Sequence, residues 1–206
     1  MKAPPTELGP LELGDLSVGC TVLAGGGGGD PRVGLLMALH AISKTGPVPL
    51  VQLEDLDPDG LVLPSGMIGA PTVMVEKIPN GAEGRVIRSA LEARLGKLVV
   101  AMMCLEMGGI NGVLPVAWAA NAGLPIVDGD LMGRAFPEVQ MCTPHLHGIS
   151  ALPCAIADER LQVITYETRD NAWLERLVRN TVSTLGGCAC AGLYPMTAIE
   201  AAGPTI

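Results

Sequence analysis

The stretch "KLVVAMMCLEMGGINGVLPVAWAANAGLPIVDGD", residues 97–130, decides the fold. It opens with a run at 97–105 that is almost entirely apolar and lacks polar alternation, which is typical of a strand buried on both faces. A glycine-rich turn follows, then a predicted helix at 112–123 and a second predicted strand at 124–130. Strand, helix and strand in this order predict a β-α-β unit with parallel strands.

The rest of the chain continues this alternation. Asp30 is placed to cap a helix and Pro31 to begin it, so a helix is predicted over 31–45. Further helices are predicted over 83–95 and 170–185. Further strands are predicted over 20–24, 49–53, 61–66, 161–168 and 188–196. We therefore expect a single α/β domain over residues 1–206, with a largely parallel or mixed sheet, flanking helices and glycine-rich loops at the strand C-terminal ends.

Composition narrows the possible partners. The net charge is −8 and only 2% of residues are aromatic, which disfavours nucleic acid and anionic membrane surfaces. The chain has no uncharged apolar run of about 18 residues and its N-terminus has no secretory signal, so we expect a cytoplasmic protein that does not span a membrane. The six cysteines show no disulfide pattern and are expected to be reduced. The mean hydropathy of +0.41 reflects surplus apolar surface, which we expect to be buried in a homo-oligomer interface rather than in a membrane.

Five consecutive glycines, Gly25–Gly29, precede the predicted helix at 31–45. Their amides, with the helix N-terminus, can donate hydrogen bonds to a carboxylate, a carbonyl or an oxyanion. A tight packing loop is the alternative. The segment lacks the Lys-Ser/Thr ending of a phosphate-binding loop, so no nucleotide is expected. Two other glycine loops, after the strands at 61–66 and 97–105, are expected to line the same pocket.

Acidic residues lie at the ends of two predicted strands. Asp128 and Asp130 are expected to leave one strand on the same side, where they can hold a cation or supply an acid, or simply form a turn. Arg134 and Glu138 are spaced as a pair on a predicted helix. Glu106 follows the most apolar strand, so partial burial would raise its pKa and suit it to proton transfer. Asn111 either belongs to the same site as Glu106 or caps a helix.

Metal ligands are less clearly indicated. His145 and His147 form an H-x-H pair that can bind a metal with Asp128 or Asp130, although a structural histidine is an equal alternative. Glu76 and Lys77 form either an acid–base pair or an ordinary exposed pair. We expect at most a divalent metal such as zinc, with His147 and Asp128 as the candidate ligands.

Several motifs, taken in order, resemble the DUF917 family. They are "LAGGGGGDPRVGLLMA", "GMIGAPTVMVEK", "EMGGINGVLPVAWAANAGLPIVDGDLMGRAFPEVQM" and "LYPMT", and together they run from about Gly19 to Thr197. This resemblance is to the N-terminal domain of the S-methyl thiohydantoin desulfurase group, which is found beside or fused to hydantoinase/oxoprolinase-type proteins. Members of the family usually continue into a second, β-rich domain.

The resemblance implies a hydrolase that displaces sulfur from a five-membered S-methyl thiohydantoin ring bearing a carboxylate. The candidates for activating water are then Asp128, Asp130, Glu106 and His147. The candidates for binding the substrate are Gly26, Gly27, Gly28, Gly29, Asp30, Asn111, Arg134 and Glu76, with Arg134 on the carboxylate. The alternative is a non-catalytic subunit or binding module that assembles with a hydantoinase/oxoprolinase-like partner.

Overall fold

The computed structural model describes residues 4–206. The strands are β1 Glu7–Leu8, β2 Val48–Val51, β3 Leu61–Gly69, β4 Val99–Cys104, β5 Ile126–Val127, β6 Cys154–Ala157, β7 Val163–Tyr166, β8 Cys188–Gly192 and β9 Met196–Thr197. The helices are α1 Pro10–Ala24, α2 Pro31–Thr45, α3 Pro71–Met74, α4 Glu83–Leu95, α5 Leu114–Ala122, α6 Thr143–Leu146, α7 Asn171–Thr184 and α8 Ala198–Ala201.

The strands form one mixed sheet in the order β1-β2-β5-β4-β3-β8-β6-β7, with β9 beside β3. The four central strands β2, β5, β4 and β3 run parallel to one another. The remaining pairings are antiparallel. The predicted fold class, an α/β domain with a largely parallel or mixed sheet, is confirmed.

Helices cover both faces of the sheet, which explains why its strands lack polar alternation. Along β8, Cys188 and Cys190 pack with α1, α2, α4 and α5 on one face. Ala189 and Ala191 pack with α7 and α8 on the other. All six cysteines are buried, and none is bonded to another.

The strand predicted at 20–24 is wrong, because these residues form the last part of α1. Leu13, Ser17, Cys20 and Ala24 are the buried positions of this helix and follow helical spacing. The exposed side of α1 is also apolar and includes Leu11, which is 80% exposed. Because apolar residues lie on both sides of the helix, the sequence shows no helical period of apolar residues. The apolar run at 20–24 is therefore, taken alone, typical of a strand. The glycine run therefore connects two helices.

The predicted strand at 124–130 shrinks to Ile126–Val127. The chain after it is irregular as far as α6, so the predicted helix carrying Arg134 and Glu138 is also wrong. Within residues 4–206, no helix combines the length and the apolar character that crossing a bilayer requires.

Candidate functional site

Three loops meet at the carboxyl ends of β3 and β4: the glycine run at 25–29, the loop after β4 and the irregular segment after β5. The Gly28 carbonyl accepts a hydrogen bond of 2.9 Å from the Ile110 amide. Gly28 and Gly109 have φ values of +70° and +65°, in the left-handed region. A Cβ on Gly28 would lie 2.5 Å from the Gly108 carbonyl oxygen, and a Cβ on Gly109 would overlap the Gly28 carbonyl. The glycines are therefore needed for two backbones to touch, as the packing-loop alternative requires.

The same loops line a cleft of about 280 Å³, which we call the three-loop cleft. The glycine run and the loop after β4 contribute to it, even though the run follows a helix rather than a strand. The loop predicted after the strand at 61–66 is wrong, because its lining residues Met67, Ile68 and Gly69 form the end of β3. Its wall is largely apolar and includes Met67, Met132 and Phe136. Its polar lining side chains are Glu106, Asn111, Glu138 and Arg179. A small, mostly apolar pocket with a few polar groups at strand carboxyl ends is the usual form of a ligand site in this kind of sheet.

Glu106 is the buried carboxyl of the three-loop cleft, with 5% of its surface exposed. Its Oε1 accepts a hydrogen bond of 2.7 Å from the Asn111 side-chain amide, and its Oε2 accepts one of 3.0 Å from the Phe136 backbone amide. Burial raises the pKa of this carboxyl, and the nearby Asp130 raises it further, whereas the two hydrogen bonds act in the opposite direction. A carboxyl with a raised pKa holds a proton more readily than an ordinary glutamate, which suits it to proton transfer.

Asn111 ties the β4 loop to β3 rather than capping a helix. Its Oδ1 accepts a hydrogen bond of 2.6 Å from the Met67 amide, and its Nδ2 donates one of 3.0 Å to the Met67 carbonyl. Because the same Nδ2 also bonds Glu106, Asn111 fixes the carboxyl relative to the sheet. Its hydrogen-bonding groups are thus engaged within the protein.

Asp130 and Asp128 are two residues apart but lie in different surroundings. Asp130 is buried and accepts hydrogen bonds from the amides of Met107, at 2.7 Å, and Gly133, at 2.9 Å. Burial raises the pKa of Asp130, and these hydrogen bonds partly counter the rise. Asp128 is exposed, accepts a hydrogen bond of 3.2 Å from Gln52, and lines a separate cleft beside α1. The two aspartates therefore do not leave β5 as a catalytic pair.

Three predicted substrate-binding side chains lie outside the lining of the three-loop cleft. Arg134 is exposed, stacks 4.1 Å above the Phe136 ring and donates to the Ala135 carbonyl. Asp30 caps α2, as its position predicted, and pairs with Arg32 at 2.6 Å, which lowers the pKa of Asp30. Glu76 is exposed in the turn after α3.

The five glycines of the predicted binding loop differ in what their amides do. The Gly25 and Gly27 amides donate to the last turn of α1. Within residues 4–206, the amides of Gly26, Gly28 and Gly29 donate to no protein acceptor. Of the glycines in the run, Gly27 and Gly28 line the three-loop cleft.

The histidines do not assemble a metal centre in the part of the chain that the structure describes, where no group of three or more His, Cys, Asp or Glu side chains is placed to hold an ion. His145 contacts the Asn171 side chain at 3.1 Å. His147 is exposed and lies against Gly203. Lys77 pairs with Glu159 at 2.9 Å, not with Glu76. The described residues therefore do not fit the expected metal site.

Arg179 is the cleft residue that sequence reasoning missed. Its guanidinium pairs with Glu175 one turn earlier on α7 and donates to the Pro137 carbonyl. Glu175 in turn accepts a hydrogen bond of 3.0 Å from the Val139 amide. The Glu175–Arg179 spacing is visible in the sequence, but it indicates only a helix-surface pair. Nothing local shows that α7 reaches a loop 42 residues away.

Comparison with known proteins shows which family the chain belongs to. No curated protein matches the chain. A crystal structure of a protein from Chromobacterium violaceum has a TM-score of 0.81 at 23% identity, over 98% of this chain and 57% of that one. At this identity the similarity establishes the fold, and the chain spans little more than half the length of that protein. The family model described as "S-Me-THD-like, N-terminal domain" matches residues 11–168, so the chain belongs to the S-Me-THD-like family.

Proposed function

We propose that the chain is a hydrolase of the S-methyl thiohydantoin desulfurase type, with its complete reaction centre in the three-loop cleft. The observation that carries this proposal is the buried carboxyl of Glu106, held by two hydrogen bonds at the carboxyl end of β4. Family membership supports the substrate class, a five-membered S-methylated ring.

The reaction moves both protons of one water, one to the departing sulfur and one to the ring nitrogen. Glu106 accepts the first proton as the water oxygen bonds to the ring carbon that carries the methylthio group, and the electrons of the carbon–nitrogen double bond move to the ring nitrogen. The carbon–sulfur bond then breaks as the carbonyl forms, the hydroxyl proton passes to the ring nitrogen, and the proton on Glu106 passes to the departing sulfur. The products are methanethiol and a ring carbonyl, so the carboxyl ends as it began. A raised pKa suits both halves of this transfer, because the group must hold the proton and then release it.

Backbone and side-chain hydrogen-bond donors of the three-loop cleft can bind the other polar groups of such a substrate. Gly28 lines the cleft and its amide donates to no protein acceptor within residues 4–206, so we assign to this amide the stabilisation of a developing negative charge on the ring. Arg179, rather than Arg134, is the cationic side chain in the lining. We assign to Arg179 the binding of a substrate carboxylate. The apolar wall excludes bulk water and strengthens both contacts.

A binding module that lacks catalysis is the competing function. Both Glu106 oxygens tie neighbouring loops together, which is also what a purely structural carboxyl does. The chain also covers only 57% of the Chromobacterium violaceum protein, so a further domain or partner can complete a site. In that case the ring would bind in the three-loop cleft without turnover.

One labelling experiment separates these functions. The purified chain is incubated with an S-methyl thiohydantoin carboxylic acid in ¹⁸O-water, and both products are measured. The proposal predicts equal amounts of methanethiol and ring product, with one ¹⁸O in the new carbonyl. Calorimetry on the same sample records binding. Binding without methanethiol release would overturn the hydrolase in favour of the binding module, and a folded chain with neither would overturn both.

A further inference from the structure

A second and larger cleft lies on the other side of the β4 loop. It has a volume of about 560 Å³ and is bordered by α1, β1, β5 and α5, so we call it the α1 cleft. It shares no lining residue with the three-loop cleft. Its volume lies within the range of sites that enclose a small organic molecule.

The lining of the α1 cleft combines apolar walls with charges of one sign. Its walls are formed mainly by aliphatic side chains, among them Leu8, Leu16, Leu50, Val116 and Ile126. Its charged lining side chains are Glu12, Asp15 and Asp128, and no Lys, Arg or His is among the described residues that line it. Several negative charges beside an apolar wall favour a ligand that carries a positive charge.

The three carboxylates are not equally available to a ligand. Glu12 lies in the first turn of α1, where it accepts a hydrogen bond of 3.2 Å from the Gly9 amide and offsets the helix dipole. Asp128 accepts one hydrogen bond, from Gln52, and keeps its second oxygen free of protein donors within residues 4–206. Asp15 is exposed and makes no side-chain hydrogen bond to another described residue. Asp15 and Asp128 therefore supply most of the uncompensated charge.

We propose that the α1 cleft binds an organic cation, an ammonium group on an aliphatic body, with the ammonium beside Asp15 and Asp128 and the aliphatic part against the walls. Each half of such a ligand matches one half of the lining. An anion is repelled by three carboxylates, and a neutral aliphatic molecule leaves them without a counter-charge. This site is independent of the proposed hydrolase, whose substrate carries a carboxylate.

Three probes of equal chain length test the site: hexylammonium, hexanol and hexanoate, titrated by calorimetry into the full chain at low salt. Hexylammonium should bind, hexanol should bind roughly tenfold more weakly, and hexanoate should not bind. Nuclear magnetic resonance then locates the ligand. The methyl groups of Val116 and Ile126 should shift, because both line the α1 cleft. No binding of hexylammonium, or equal binding of hexanol, would overturn the proposal.

Matched variants check the role of the carboxylates. Asp15→Asn with Asp128→Asn should weaken hexylammonium binding roughly tenfold. The control Asp59→Asn with Glu76→Gln removes the same net charge from two exposed carboxylates outside the lining, and should change binding by less than about twofold. Equal losses in the two double variants, or methyl shifts confined to the three-loop cleft, would contradict the assignment.

Discussion

The three-loop cleft and the α1 cleft lie on opposite sides of one loop, yet they present carboxyl groups in opposite ways. In the three-loop cleft, Glu106 is buried and its oxygens are held by Asn111 and Phe136, so burial controls its protonation. In the α1 cleft, Asp15 and Asp128 are exposed. A buried carboxyl with a raised pKa suits proton transfer, whereas exposed carboxylates act through their charge. Burial rather than residue type therefore assigns different chemistry to the two clefts.

The largest effect is expected where the loops of the three-loop cleft touch. Gly109→Ala should lower the free energy of unfolding by more than about 3 kcal/mol, because the new methyl would overlap the Gly28 carbonyl and the residue keeps a positive φ. Gly123→Ala is the matched control. Gly123 has a similar φ of +64° but open space around its Cβ, so the cost should be about 1 kcal/mol. Urea unfolding measures both, and equal costs would show that the loops do not depend on this contact.

Asp130 and Asp128 give the next contrast. Asp130→Asn should cost about 2 kcal/mol, because the amide nitrogen that replaces one carboxylate oxygen cannot accept the hydrogen bond of 3.1 Å that the buried Oδ1 receives from the Gly133 amide. Asp128→Asn should change stability by less than about 0.5 kcal/mol, because that side chain is exposed. Chemical denaturation of both variants measures the two changes in the free energy of unfolding. A larger loss for Asp128→Asn would mean that the structure has assigned the two aspartates wrongly.

The pH dependence of stability is expected to reveal Glu106. A carboxyl whose pKa is raised by folding holds more protons in the folded state, so it stabilises the fold at low pH and that contribution is lost as pH rises through the folded-state pKa. Above pH 4.5, the ordinary value for this group, the unfolding free energy of the parent chain should therefore decline. Glu106→Gln should flatten the decline, with the contribution of Asp130 left in place. An unchanged slope would contradict a raised pKa for Glu106.

The sequence predicted the parts of the fold that local patterns encode. The apolar run of β4, the capped start of α2 and the glycine loop after β4 follow from spacing and composition. Glu106 was identified from its position after the most apolar strand. By contrast, α1 was missed because its exposed side is also apolar, and Asp128 separates from Asp130 because β5 ends at Val127.

Arg179 could not be predicted, since its place in the cleft depends on packing between segments distant in the chain. Its contact with the Pro137 carbonyl joins α7 to the irregular segment after β5. No periodicity within α7 encodes such a contact. Local sequence thus predicts which segments form helices or strands and which side chains can take part in chemistry. The contacts that each side chain makes depend on the tertiary arrangement.

We infer that proton transfer occurs at Glu106 and not at the acids after β5. The most direct test is the rate of methanethiol release by Glu106→Gln and Asp128→Asn, with each variant shown to be folded by its thermal midpoint. We expect a loss of at least about a hundredfold for Glu106→Gln and a change of less than about threefold for Asp128→Asn. Full turnover by Glu106→Gln, or loss of turnover in Asp128→Asn alone, would contradict it.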